Sequence, residues 1–140
     1  MVERLREVMT AAPRCLSPTD TVGEAARMMR DENIGDVLVC VDDRLTGIVT
    51  DRDLVVRALA EQAGDPRQTR LGDIASKELV MLSPDDSVEE AVALMRGHAI
   101  RRIPVCENGR PVGVVALGDL AVERDWDSAL ADISAAPANV

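Results

Sequence analysis

The chain matches itself at an offset of 66 residues, without a gap, from about Val8–Leu54 onto Ile74–Leu120. Leu16-Ser17-Pro18 returns as Leu82-Ser83-Pro84, Glu24-Ala25 as Glu90-Ala91, Met29-Arg30 as Met95-Arg96, Val39-Cys40 as Val105-Cys106, Gly47 as Gly113 and Asp53-Leu54 as Asp119-Leu120. A repeat held in register over that length decides the architecture before any single element is assigned, because two copies of one pattern fold alike. A unit of about 60 residues is marginal by itself, whereas a chain of this size buries roughly 70% of its unfolded surface, so the copies are expected to need each other.

Within each copy, period and caps mark the elements. Thr21-Val22-Gly23-Glu24 and Ser87-Val88-Glu89-Glu90 have the hydroxyl-x-x-carboxylate spacing of a capping box and open two helices. Val22, Ala25, Ala26 and Met29, then Val88, Ala91, Val92 and Met95, recur at helical spacing and turn one apolar stripe inward. A hairpin follows each helix: Val37 to Val41, a turn at Asp42-Asp43, then Gly47 to Thr50; and Ile103 to Cys106, a turn at Asn108-Gly109, then Gly113 to Leu117. Leu54, Val55, Ala58 and Leu59 resume helical spacing, and Leu120, Val122 and Trp126 suggest a frayed terminal helix. The expected fold is therefore mixed α/β (α+β), a βαββα unit used twice, with a short lead-in before each copy. A sheet covered by helices on one face leaves its other face bare, so the two units are expected to pack about a pseudo-twofold axis. The boundaries read as a first repeat at 8–63, a linker at 64–73 broken by Asp65-Pro66, a second repeat at 74–122 and a tail at 123–140.

Charge and composition narrow the function. Acidic residues outnumber basic ones 25 to 16, giving a net charge of −9, so the overall field repels nucleic-acid backbones and anionic lipid. The first nine residues carry Glu3, Arg4, Arg6 and Glu7 with no apolar run behind them, and no segment approaches the ~20 apolar residues that span a bilayer, so a cytoplasmic protein without a membrane partner is expected. Cys15, Cys40 and Cys106 form no paired motif and, with the single His98, leave little material for a zinc site. No HExxH, GxSxG, phosphate-binding loop or paired-carboxylate signature is present, and the expectation is that the chain is not an enzyme.

The most informative stretch is Gly47-Ile48-Val49-Thr50-Asp51-Arg52-Asp53, where a strand enters a helix through a hydroxyl with a carboxylate three residues on. A carboxylate at such a corner accepts two hydrogen bonds from a ribose diol, and the free N–H groups of the helix start suit a phosphate. The same pair also reads as a helix cap that needs no ligand. In the second copy Ala116 and Gly118 replace Thr50 and Arg52, while Asp119 is kept.

The repeated Ser-Pro, the capped helix, Ile-Arg-Arg-Ile-Pro-Val at 100–105 and Gly-Ile-Val-Thr-Asp-Arg-Asp-Leu at 47–54 resemble the tandem CBS (cystathionine beta-synthase) domain pair, or Bateman module, over about residues 8 to 122. That resemblance implies clefts between the copies that bind an adenosine-containing regulatory ligand such as AMP, ADP, ATP or S-adenosylmethionine, with no obligatory cofactor. It places the ribose-binding acid at Asp53 and a hydroxyl near the phosphate at Thr50. It maps the adenine-lining strand onto Gly35, Asp36, Val37 and Leu38 in one copy and Arg102, Ile103 and Pro104 in the other, with Asp119 as the second acid. It also implies a homodimer formed through the helices after each hairpin and signalling in trans to a protein target.

Residues 96–110 carry a formal +3, the matching 30–44 a formal −3, so Arg101, Arg102 or His98 are candidates for phosphate, or else solvated and paired with the excess acids. Without Phe or Tyr an adenine pocket must have aliphatic walls, with Ile48, Val37 and Ile103 as candidates, although β-branched residues at alternate positions are also what a half-buried strand needs. The alternative is a ligand-free dimeric interaction or scaffold protein, redox-responsive through a Cys15–Cys40 contact.

Overall fold

A computed structural model describes residues 4–61 and 64–124. In chain order the elements are α1 (Leu5–Val8), β1 (Thr10–Ala11), β2 (Cys15–Leu16), α2 (Val22–Glu32), β3 (Asp36–Val41), β4 (Arg44–Thr50), α3 (Asp51–Asp53) running into a π-helix (Leu54–Ala60), a 3-10 turn (Pro66–Gln68), α4 (Leu71–Ile74), α5 (Val88–His98), β5 (Arg102–Glu107), β6 (Arg110–Ala116) and α6 (Leu117–Arg124). This is the expected mixed α and β order, twice over. Trp126 lies outside the described residues.

The local signals act as their chemistry requires. Thr21 Oγ1 accepts from the Glu24 N–H and Ser87 Oγ from the Glu90 N–H, so the hydroxyl half of each anticipated box starts its helix. Both long helices end on a left-handed residue, Asn33 (φ 54°) and Ala99 (φ 54°). Of the first stripe Val22, Ala25 and Met29 are buried, but Ala26 is exposed, so the inward face is one residue narrower than its periodicity suggests.

Both hairpins close on two residues with positive φ, Asp42 (51°) and Asp43 (64°) in one, Asn108 (53°) and Gly109 (82°) in the other. That is the sign pattern of a type I′ turn, whose twist matches its flanking strands. Each hairpin also has a register shift at the equivalent place, between Val39 and Cys40 and between Val105 and Cys106.

The chain divides into two compact units, Arg14–Leu79 and Met1–Pro13 with Val80–Val140. Each therefore contains the lead-in that precedes the other repeat. In the first, β2 pairs parallel with β3, β3 antiparallel with β4, and Ser76 bridges Ile48 on the far side of β4. In the second, Leu82 bridges Val105, β5 pairs antiparallel with β6, and β1 pairs with β6 through Thr10↔Val114. These are the same four positions displaced by 66 residues.

The lead-ins dock by the same bonds. Leu71 N–H donates to the Asp20 carbonyl and Gly72 N–H to the Pro18 carbonyl; Leu5 N–H donates to Asp86 and Arg6 N–H to Pro84. Arg70 reaches the Thr19 carbonyl at 3.0 Å, as Arg4 reaches that of Asp85 at 2.9 Å. The second dock adds an ion pair between Arg6 and Asp85, which holds the Asp85 carboxyl below its usual range. The leucines anchor the arrangement: both are 0% exposed, Leu71 among Val22, Ala25, Val37, Val49 and Ala58, Leu5 among Val88, Ala91, Ile103, Val115 and Leu120.

Where each lead-in crosses its strand the residue is glycine, for want of space. A Cβ on Gly47 would stand 3.1 Å from both Ala75 Cβ and the Ser76 carbonyl oxygen, and one on Gly113 would stand 2.5 Å from Met9 Sδ.

Two outcomes follow. Leu71→Ala deletes a wholly buried anchor and is expected to cost about 2–5 kcal/mol in denaturant unfolding. Asp43→Gly relieves a left-handed non-glycine residue and copies the Asn-Gly turn, so a thermal melt should show stabilisation of about 0.5 kcal/mol.

Candidate functional site

The corner singled out in the sequence is built by β4 entering α3. Thr50 N–H donates to Asp53 Oδ2 at 2.9 Å and Asp53 N–H donates to Thr50 Oγ1 at 3.2 Å. This is a complete, reciprocal capping box. The corner is tied to the neighbouring strand by Asp51 N–H donating to the Gly35 carbonyl at 3.0 Å, and Asp36 lies in register opposite Thr50.

The cap engages one carboxylate oxygen. Asp53 Oδ1 faces the Arg57 guanidinium, with Nε at 3.7 Å, and the Asp53 side chain keeps 19% of its surface exposed. An ionised carboxylate offers about four lone-pair positions over its two oxygens. Capping and acceptance of a further donor are therefore compatible at Asp53, and the two readings of this residue do not compete.

The second copy has the same corner with one bond removed. Ala116 N–H donates to Asp119 Oδ2 at 3.0 Å, but alanine supplies no hydroxyl to return the bond. Leu117 N–H donates to the Arg101 carbonyl at 2.8 Å, and Arg102 lies opposite Ala116. Capping thus explains an aspartate at both positions, and Thr50 distinguishes the two.

The remaining candidates fall on two faces. Side chains alternate along a strand, so Asp36 and Leu38 share a face with Thr50 and Ile48, while Val37 points the other way. Val37 and its counterpart Ile103 are 0% exposed, and their side chains belong to the two cores. Pro104 is buried and Arg102 half-buried on the face opposite Ile103. Arg101 and His98 are exposed. Arg101, Arg102, Pro104 and Asp119 lie in one unit and Asp36, Thr50 and Asp53 in the other.

No disulfide joins Cys15, Cys40 and Cys106 among the described residues. Cys15 pairs with Leu38, two residues from Cys40. Strand spacing and rise put such Cα atoms about 8 Å apart, beyond the roughly 4.4–6.8 Å a disulfide spans, so a Cys15–Cys40 bond would require the strands to move. Among the described residues no group of three or more His, Cys, Asp or Glu side chains is gathered to hold a metal ion, and no helix is long and apolar enough to cross a membrane.

Arg57 is the participant that pattern reading passed over. Its signal was present as an acid and a base four residues apart, Asp53 and Arg57, on one helical run.

A family model described as "CBS domain" matches twice, over residues 5–59 and 71–124. Both matches start at the leucine-anchored lead-ins. The chain belongs to the CBS domain family, as a pair of CBS domains. It is 40% identical over 134 residues to the CBS domain-containing protein YhcV of Bacillus subtilis (strain 168), covering 93% of this chain and 94% of that protein. The crystal structure of Hypoxic Response Protein I with two coordinated zinc ions is similar with a TM-score of 0.76 at 34% identity, covering 86% of this chain and 98% of that one. The CBS domain pair of protein MJ0100, in complex with 5-methylthioadenosine and S-adenosyl-L-methionine, shares the fold with a TM-score of 0.81 at 20% identity, covering 91% and 100%.

Loss of the Thr50 hydroxyl leaves the one-sided cap seen at Asp119. Thr50→Ala should therefore fold and lose about 1 kcal/mol in equilibrium unfolding.

Proposed function

We propose that this CBS pair is a non-catalytic regulatory module that binds an adenosine-containing ligand, AMP, ADP, ATP or S-adenosylmethionine, at the Thr50–Asp53 corner and passes its occupancy to a protein target. The observation that carries the reading is the divided use of Asp53: Oδ2 is held by the Thr50 N–H, and the partly exposed carboxylate retains acceptor capacity at Oδ1. A carboxylate fixed on one oxygen is preorganised, so a diol that hydrogen-bonds to it meets little further ordering cost. Asp36, opposite Thr50, and the N–H groups at the helix start complete the polar surroundings. The MJ0100 pair supports the ligand class, since a protein of this fold holds two adenosine compounds.

Asp119, with Ala116 in place of a hydroxyl, is assigned the weaker corner, and Arg101 and Arg102 the role of cations for a phosphate-bearing ligand. Val55 and Leu59 are 58% and 64% exposed on the π-helix, which supports that helix as the homodimer face.

Calorimetric titration with AMP, ATP and S-adenosylmethionine tests the assignment. The parent should bind at least one of them saturably, and Asp53→Asn should weaken that binding about 10- to 100-fold, the value of a hydrogen bond to a charged acceptor. Equal affinity in parent and variant, or no binding of any of the three, would overturn it.

A further inference from the structure

Arg57 makes two contacts at once. Its Nε stands 3.7 Å from Asp53 Oδ1, and its Nη1 donates to the carbonyl oxygen of Ile74 at 3.1 Å. Ile74 is the last residue of α4 and is buried in the core of the same unit. Two residues further on, Ser76 exchanges both backbone hydrogen bonds with Ile48, at 3.0 and 3.2 Å. Ile48 lies two residues before Thr50 on the strand that forms the corner. One guanidinium thus bridges the corner carboxylate to a lead-in whose strand pairing is only one bridge long.

In the sequence of the second copy Glu123 occupies the position equivalent to Arg57, and Val8 that equivalent to Ile74. The tether belongs to the repeat that also keeps the Thr50 hydroxyl.

We infer that Arg57 is a positioning residue that couples occupancy of the Asp53 corner to the attachment of the lead-in at Ser76. This rests on the binding proposed above and adds its regulation. A ribose diol that donates to Asp53 Oδ1 competes with Arg57 for that oxygen. Once displaced, the guanidinium keeps only the Ile74 carbonyl, and the Ser76–Ile48 pairing opens more often. Linkage makes the effect reciprocal: whatever the diol does to the tether, removal of the tether does to diol affinity, by the same factor. The contact with Asp53 is partly exposed, so the factor is modest, roughly two- to fivefold.

The test measures amide exchange at Ser76 by NMR in the full chain, with adenosine and 2′,3′-dideoxyadenosine as probes, in the parent, Arg57→Ala and Arg57→Gln. Neither probe carries a phosphate, which removes direct attraction to Arg57 from the comparison. Adenosine should speed Ser76 exchange in the parent about two- to fivefold while the dideoxy compound does not. Arg57→Ala should exchange fast without ligand, show no further change with it, and bind adenosine more tightly by the same factor. Arg57→Gln keeps a donor for Ile74 without the charge, so it should bind adenosine as Arg57→Ala does but exchange more slowly at Ser76. A merely structural role would loosen Ser76 without tightening adenosine.

Adenosine binding with unchanged Ser76 exchange in the parent, or no gain of affinity in Arg57→Ala, would overturn the coupling. Absence of adenosine binding would count against the proposed ligand. With no occupancy to transmit it would overturn the coupling as well, whereas adenosine binding that leaves Ser76 exchange unchanged overturns the coupling alone.

Discussion

Two leucines hold the architecture. Leu5 and Leu71 open the short helices α1 and α4, too brief to be stable by local hydrogen bonding, and each is driven into a core by loss of water from its side chain. The backbone bonds to residues 18, 20, 84 and 86 follow from that burial, as do the glycines at 47 and 113. Because each leucine sits in the core of the unit built around the other repeat, neither repeat closes its own core with its own lead-in. Within this chain each repeat therefore takes the last part of its core from the lead-in of the other. A single copy would need another chain to supply the missing leucine.

The corner at Thr50 and Asp53 depends on the same device. Its strand is flanked on one edge by β3 and on the other by Ser76, so the last turn before the helix is fixed from both sides. The aspartate then serves structure through one oxygen and remains open to chemistry through the other. The second copy keeps the structural half of that arrangement, the Ala116 N–H held by Asp119, without a hydroxyl to return the bond.

Much of this was legible in the residues because a repeat doubles every signal. Helix starts at Thr21 and Ser87, hairpin turns at Asp42-Asp43 and Asn108-Gly109, and the fold class all follow from local spacing, which short-range physics determines. The destination of the lead-ins was not legible. A buried leucine at the head of a four-residue helix records that it is covered and not by what, and an exact repeat reads the same whether its edges pack within their copy or are exchanged. Ala26 and Val37 show a smaller version of the limit. Periodicity gives the inward stripe of a helix to within a residue, and a strand's two apolar faces look alike until the sheet shows which one carries the core. Arg57 escaped notice because an acid and a base four apart usually form no more than a solvated pair.

The exchange of lead-ins is tested most directly by methyl NOE contacts in the intact, isotope-labelled protein. The account predicts that Leu71 methyls show contacts to Val22, Val37 and Val49, and Leu5 methyls to Val88, Ile103 and Val115. Contacts of Leu5 with the first set and of Leu71 with the second would contradict it, and would place each lead-in on the repeat that it precedes.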